Sequence, residues 1–411
     1  MSGLILSRKS LRRWVLALSL GALAAGGQFS AAQAAPDAGI RLTAPLDWQV
    51  VQRRTFREGV IAVTGYCVLD CDRVEARVAS GKTMAGRSYQ SGWVRTKWNA
   101  VTKEFAARLP TPAGGWYVVE ARAPKGGNVV AAQKVDHVGV GEVFVITGQS
   151  NAANFGEVRQ KTQTGLVSVF DVDNHRWQLA CDPEPGSGGD GGSFLPPFGD
   201  NMAKRFQVPV GVVSCAIGAT SVRQWLPKGV TFSNPPTLTF NITKLPDGEW
   251  SSNGDAFNML VRRMKQLGPH GFRAVLWHQG ESDANQPDPK CTLSGPLYTK
   301  YLEQIIRESR KDIGWDAPWF VAQASYHSPA DTGSPEIRAA QKAVWEDKAA
   351  FAGPDTDALR GDLRAANGQS VHLSDQGLRA HGALWAKKVG DWLAKFDLDS
   401  TPRSARISAI E

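Results

Sequence analysis

Near Val138 the chain changes its hydrophobic rhythm, and that change limits the fold to a narrow set. Before it, from Ile40, short runs such as Val60-Ile-Ala-Val-Thr-Gly65, Arg73-Val-Glu-Ala-Arg-Val78 and Gly115-Trp-Tyr-Val-Val-Glu-Ala-Arg122 show the alternation and the β-branched and aromatic content of half-buried strands. Pro110-Thr-Pro-Ala-Gly-Gly115 and Pro124-Lys-Gly-Gly-Asn128 supply turns between them. This spacing predicts a small all-β sandwich module over residues 37–138. After Val138 the runs Val143-Phe-Val-Ile-Thr147, Val208-Pro-Val-Gly-Val-Val-Ser214, Ala274-Val-Leu-Trp277 and Trp319-Phe-Val-Ala-Gln323 are apolar throughout, as strands covered on both faces are. Helical spacing falls among and after them, at Ala256 to Leu267, Tyr298 to Lys311 and Glu336 to Lys348. Strands alternating with helices over residues 139–396 predict an α/β domain with a parallel sheet and helices on both faces. The Gly-rich Asp182 to Gly192 and the polar Thr231 to Ser252 are expected loops, and residues 397–411 a C-terminal tail.

Charge matters here only through its position. The net charge of +8 would suit a nucleic-acid partner, but Arg8, Lys9, Arg12 and Arg13 precede an apolar run from Trp14 to Ala25. With the small-residue site Ala32-Gln33-Ala34, this is the pattern of a secretory signal over residues 1–34, and the run is shorter than the ~20 residues of a membrane span. The paired Arg12-Arg13 also fits a twin-arginine signal, although Trp14 and its successors match that pattern loosely. Cleavage after Ala34 leaves 377 of the 411 residues with a charge of +4, an ordinary surface. The mature chain is therefore expected in the periplasm or secreted, with no membrane span and no nucleic-acid partner. The five cysteines, Cys67, Cys71, Cys181, Cys215 and Cys291, leave at least one unpaired. Cys67 and Cys71 could close a small loop and Cys181 could pair with Cys291, while Cys215 reads as a buried strand residue. No histidine lies beside them at ligand spacing, so no metal is expected.

In an open α/β sheet, ligands bind beyond the carboxyl ends of the strands. The first such end is Gly148-Gln-Ser-Asn151. A serine between a tight glycine turn and a helix exposes its hydroxyl and aims its N–H at the same point, as a nucleophile with an oxyanion donor requires. The same tetrapeptide also reads as a helix N-cap, and the residues alone leave both open. A later strand ends in Trp277-His-Gln-Gly-Glu-Ser-Asp283, where Glu281 could orient a histidine and the Gln279 amide could donate to an oxyanion. His372, in Ser370-Val-His-Leu-Ser374, precedes an amphipathic C-terminal helix that Ser374 caps. Gly218, in Cys215-Ala-Ile-Gly-Ala-Thr-Ser221, can present a bare N–H. His137, His175, His270, His327 and His381 read as surface or core residues. Asn151, Arg223 and Trp225 are candidate substrate contacts, Arg223 for a sugar carboxylate and Trp225, with Trp250 and Trp277, for a pyranose face, although any one tryptophan is more often a core residue and an arginine there more often a surface one.

Taken together, Gly148-Gln-Ser-Asn151, Gly218-Ala-Thr-Ser221, Trp277-His-Gln-Gly-Glu-Ser-Asp283, Gly353-Pro-Asp-Thr-Asp357 and His372-Leu-Ser374 resemble the sialate O-acetylesterase type of SGNH hydrolase, a subgroup shared by acetylxylan esterases. The resemblance covers roughly Gly139 to Phe396. It implies a flavodoxin-like three-layer sandwich and a serine esterase acting on an O-acetylated carbohydrate, without a cofactor. It makes Ser150 the nucleophile and His372 the base, with the N–H groups of Ser150 and Gly218 and the Gln279 amide as the oxyanion hole. Many SGNH hydrolases hold the histidine with an Asp three residues before it, where this chain has Gln369. A Gln supplies no negative charge to stabilise imidazolium. The His-Gln-Gly-Glu subgroup points to Glu281 for that role, with Asp355 and Asp357 in reserve. The other readings are a peptidoglycan or exopolysaccharide O-acetyl esterase or transferase, and a noncatalytic saccharide-binding protein.

Overall fold

The computed structural model describes residues 39–395, so the expected signal at 1–34 and the tail at 397–411 lie outside the described residues. Its first part is built of β1 (Ile40–Ala44), β2 (Gln49–Gln52), β3 (Glu58–Cys67), β4 (Glu75–Ser80), the two-residue β5 (Val94–Arg95) and β6 (Lys97–Trp98), β7 (Glu104–Pro112), β8 (Gly114–Lys125) and β9 (Asn128–Gly148). One sheet has the order β1-β3-β7-β6, while β8 pairs antiparallel with both β4 and the first half of β9. Alternate residues of each layer point inward, so Ile61, Val63, Phe105 and Leu109 share a core with Ala76, Val78, Tyr117 and Val119. Cys67 and Cys71 belong to that core with their Sγ atoms 3.8 Å apart, and all five cysteines are free thiols.

The second part contains β10 (Val167–Asp171), β11 (Arg176–Leu179), α1 (Leu195–Phe206), β12 (Val210–Ser214), β13 (Thr231–Phe232), β14 (Ile242–Lys244), β15 (Trp250–Ser252), α2 (Asp255–Gln266), β16 (Ala274–His278), α3 (Gly295–Ile313), β17 (Trp319–Gln323), α4 (Pro335–Glu346), β18 (Phe351–Asp355), α5 (Ala365–Gly368) and α6 (Asp375–Lys395). The expected α/β alternation is present, with sheet order β11-β10-β12-β9-β16-β17-β18, all parallel except β11. The strands' period of two divides the interior. Val143 and Val145 of β9 pack toward α2, α3 and α4, whereas Phe144 and Ile146 pack toward α1 and α6.

The elements outside the sequence pattern include α1, β18 and the strands β10 and β11. Pro196, Pro197 and Gly199 obscure α1, yet Pro is tolerated in a first turn and Gly199 packs against Val167. Gly353 and Pro354 obscure β18, an edge strand where a missing N–H costs little. The polar stretch from Thr231 to Ser252 is not wholly loop: it forms a small sheet in the order β13-β15-β14.

The long strand β9 crosses Val138 without a break. Its first half pairs with β8 and β2, and its second half lies between β12 and β16. Where these halves meet, Glu142 is fully buried and accepts hydrogen bonds from Arg53 Nε at 2.6 Å, Arg273 Nε at 2.7 Å and Gln52 Nε2 at 2.9 Å. Burial alone would raise this carboxyl's pKa, but the two guanidinium groups bring it below the ordinary glutamate value. Arg53 follows β2 and Arg273 precedes β16, so the ion cluster ties three segments distant in sequence. Removing the carboxylate strands two buried cations, which costs about 3–5 kcal/mol. Glu142→Ala is therefore expected to lower the urea midpoint by that equivalent, and an unchanged midpoint would contradict the assigned role.

Candidate active site

After β9 the chain builds β10, β11 and β12 on one side, and the connection from β12 crosses to β16 on the other. Such a reversal opens a crevice at the carboxyl ends of β9 and β16. Their last residues, Gly148 and His278, are register partners. Gly148 has φ +130°, and a Cβ there would lie 2.0 Å from the His278 carbonyl oxygen, so only glycine allows this close approach. The chain then turns, Gln149 N–H donates to that carbonyl at 2.9 Å, and Ser150 opens a single 3₁₀ turn, Ser150–Ala152.

Asn151 connects the parts of the site. Its Nδ2 donates to Glu281 Oε1 at 2.9 Å and to the Val371 carbonyl at 3.2 Å, which joins the turn holding Ser150 to the segment after β16 and to the residue before His372. Phe155 bridges the remaining two. Its ring stacks on His372 with centroids 5.4 Å apart, and its Cζ would lie 2.7 Å from a Cβ at Gly218. Ser150, Gly218, Glu281 and His372, spread over more than two hundred residues, thus share one corner of the molecule. Among the described residues the N–H groups of Ser150 and Gly218 have no acceptor, and neither Ser150 Oγ nor the His372 ring has a hydrogen-bond partner. Ser374 caps α6 as expected, with its Oγ accepting from Gly377 N–H at 3.2 Å, and this fixes the exit of the His372 segment.

Burial lowers the His372 pKa, Arg364 lowers it further, and Glu281 opposes both, so the ring is neutral at neutral pH. Arg364 is itself buried, donating to the carbonyls of Leu359, Val371 and Thr356 with its guanidinium 4.0 Å from the Tyr326 ring centroid. Glu281 is 3% exposed. Its desolvation would raise its pKa, but His278 and the Asn151 amide lower it to about 2. Two buried histidines support it. His278 Nε2 lies 3.2 Å from Glu281 Oε1, and His278 Nδ1 lies 3.0 Å from His381 Nε2, which also accepts from Trp385 Nε1 at 3.0 Å. His327 donates from Nε2 to the Glu281 carbonyl at 2.6 Å and meets Asp331 through Nδ1 at 2.7 Å, a histidine–carboxylate pair directed at backbone rather than at Ser150. The His278–His381 and His327–Glu281 contacts join residues 103 and 46 positions apart, and no local motif signals these two.

Four expectations are corrected by where the side chains point. Both Gln279 Nε2 hydrogens are engaged, by Asp283 Oδ2 at 2.7 Å and the Thr220 carbonyl at 3.0 Å, and the side chain is fully buried, so it offers no donor to an oxyanion. Flipping the amide would set its oxygen against those two acceptors, so the orientation is fixed. Arg223 is also fully buried and binds Asp283 at 3.1 Å together with the carbonyls of Asn234 and Cys291, which leaves nothing for a sugar carboxylate. Trp225 is a core residue, packed edge-on against Trp277 and bonded through Nε1 to Thr220, so it presents no face to a pyranose. The reserve acids are occupied elsewhere: Asp355 by Arg338, and Asp357 by Arg338, Ser325 and the Tyr326 N–H. Glu281 is the carboxylate whose charge acts on His372.

Among the described residues no group of three or more His, Cys, Asp or Glu is placed to hold a metal ion. No helix among them is long and apolar enough to cross a membrane.

A family model described as carbohydrate esterase, sialic acid-specific acetylesterase, matches residues 140–391. No curated protein sequence matches the chain. Among solved structures, the chain is similar to XAC1771, a carbohydrate acetylesterase from Xanthomonas citri, at 20% identity and TM-score 0.47, covering 84% of this chain and 74% of that one. It is similar to NanS at 14% identity and TM-score 0.43, covering 62% and 98%. A protein from Arabidopsis thaliana matches at 18% identity and TM-score 0.43, again covering 62% and 98%.

The placement of Arg223 has a direct consequence. Arg223→Ala leaves Asp283 buried without its cation and is expected to cost about 3–5 kcal/mol of stability. Thermal unfolding measures it, and a variant as stable as the parent would contradict the buried pair.

Proposed function

The chain belongs to the sialic acid-specific acetylesterase family of carbohydrate esterases and is a carboxylic ester hydrolase, and from that premise we propose that it removes O-acetyl groups from a saccharide through Ser150, His372 and Glu281. The observation that carries this reading is the Asn151 side chain, which binds Glu281 and the backbone beside His372 while its own backbone neighbours Ser150. His372 takes the Ser150 proton as the hydroxyl attacks the acetyl carbonyl, and Glu281 stabilises the imidazolium that forms. The Ser150 and Gly218 N–H groups hold the oxyanion. The sugar alkoxide leaves with the proton returned by His372, and water repeats the sequence on the acyl-enzyme. Hydrogen bonds of such a site are often open before substrate arrives, which accommodates the unpartnered Ser150 hydroxyl.

On this reading residues 1–34 export the enzyme, residues 37–138 form a β-sandwich module that acts as a spacer or one wall of the cleft, and residues 139–396 form the SGNH three-layer hydrolase domain. The substrate is a sialic acid or another acetylated glycan. An esterase or transferase of peptidoglycan or exopolysaccharide uses the same machinery with a different acceptor. A noncatalytic saccharide-binding role would leave a buried, ionised Glu281 with no task.

Acetate release from O-acetylated sialic acids, acetylated xylan and acetylated peptidoglycan tests the proposal. Ser150→Ala is expected to release none above background on any of them, and retained activity would exclude the scheme. Glu281→Gln is expected to lower kcat by up to about 10⁴-fold, as loss of the acid does in other serine triads, whereas Asp355→Asn stays near the parent. The reverse order would reassign the acid. Because catalysis needs neutral His372 and its pKa is lowered, kcat/KM should fall only as pH drops through a midpoint below about 6.5. A midpoint above that value would show that the ring is not held as described.

A further inference from the structure

Trp385 Nε1–H can only donate, so His381 Nε2, which receives it at 3.0 Å, carries a lone pair. His381 is then neutral with its proton on Nδ1, a fully buried nitrogen that has no partner among the described residues. The same Nε2 lies 3.0 Å from His278 Nδ1, and two lone pairs would repel there, so His278 Nδ1 carries a proton. That leaves His278 Nε2 facing Glu281 Oε1 at 3.2 Å. A bare nitrogen against a carboxylate oxygen would again be repulsive, so a proton lies between them, either on the imidazole or on the carboxyl. Oε1 also accepts from Asn151 Nδ2 at 2.9 Å, and Arg364 lies close enough to act on Glu281 electrostatically. Both favour a carboxylate over a carboxylic acid. Glu281 Oε2, by contrast, is buried with no partner among the described residues.

We propose that His278 is a positioning residue that stands as an imidazolium, its charge state imposed by Trp385 through His381, and holds Glu281 ionised by Oε1 so that Oε2 is left for His372. The inference rests on Glu281 serving as the acid. The tryptophan of α6 thereby sets the protonation of a group at the end of β16, two residues from which no sequence motif would be drawn together. His278 is 2% exposed, so bulk water does not compete for its N–H groups. Each ring nitrogen has one defined neighbour, which removes the freedom of tautomer that an exposed histidine keeps.

The test is nitrogen NMR of the unmodified enzyme labelled with ¹³C,¹⁵N-histidine, at neutral pH, with the His278 ring assigned by through-bond correlation to its sequentially assigned backbone. His278 is expected to show two protonated ring nitrogens, and His381 a protonated Nδ1 with a bare Nε2. A His278 with a bare Nε2 would place the proton on Glu281 and overturn the proposal. Kinetics give the second measure. His278→Gln keeps an N–H donor without the charge and His278→Leu removes both, and each is expected to lower kcat about 10–100-fold with KM within about twofold. Unchanged kcat in a folded variant would overturn the positioning role, and if neither variant folds the NMR result decides alone. Failure of the acid assignment is distinct, because it appears as a fully active Glu281→Gln enzyme whatever the protonation of His278.

Discussion

The pairing of Gly148 with His278 is the constraint on which the site depends. It brings two strand ends so close that a Cβ at residue 148 would overlap the His278 carbonyl oxygen. The turn bearing Ser150 and the segment bearing Glu281 therefore leave the sheet from one point and in fixed relation. Residues further along each segment then have little choice of neighbour. Asn151 meets Glu281, and Gln149 Oε1 accepts from the N–H of Ser282 at 3.1 Å. The parallel sheet beneath is buried on both faces, which makes this corner stiff in the sense that a site built on strands rather than on loops is stiff.

Buried charge appears within β9 and beyond its carboxyl end, and is handled in the same way. Within the strand Glu142 is offset by two arginines, and beyond the end Asp283 is offset by Arg223 and Glu281 is met by His278. A buried ion without a partner costs several kcal/mol, so each of these carboxylates demands a defined set of donors. The difference lies in completeness. Asp283 accepts from Ser221, Val222, Arg223 and Gln279, whereas Glu281 keeps one oxygen unpartnered. Two acids two residues apart thus divide their roles: Asp283 closes a structural network and Glu281 retains capacity for a further contact.

Much of the architecture was legible because hydrophobic period is a local property. The rhythm change at Val138, the covered strands and the helices at Ala256, Tyr298 and Glu336 all follow from spacing. What spacing hides is the exception a packed neighbour permits, such as the prolines that begin α1 and the Gly-Pro of the edge strand β18. Ser150, Gly218 and Glu281 stand out because they follow strand ends, and His372 because it precedes the capped C-terminal helix. The errors concern side-chain direction. Arg223 and Trp225 lie in a loop near the active edge, but they turn inward beneath residues 231–252, and Gln279 turns toward Asp283. Nothing in the local sequence distinguishes an inward from an outward turn. The His278–His381–Trp385 chain joins residues about a hundred positions apart and becomes visible only once β16 and α6 are packed together.

The central claim, that Ser150 is the nucleophile of this site, is tested most directly by covalent capture. An activated phosphonate ester reacts with a hydroxyl made nucleophilic by a neighbouring base and stays attached after the leaving group departs. Intact mass followed by peptide mapping is expected to find one phosphonyl group, on Ser150, with acetate release lost in proportion to labelling. An enzyme that loses its activity while Ser150 remains unlabelled, or one fully labelled at Ser150 that still releases acetate, would contradict the account.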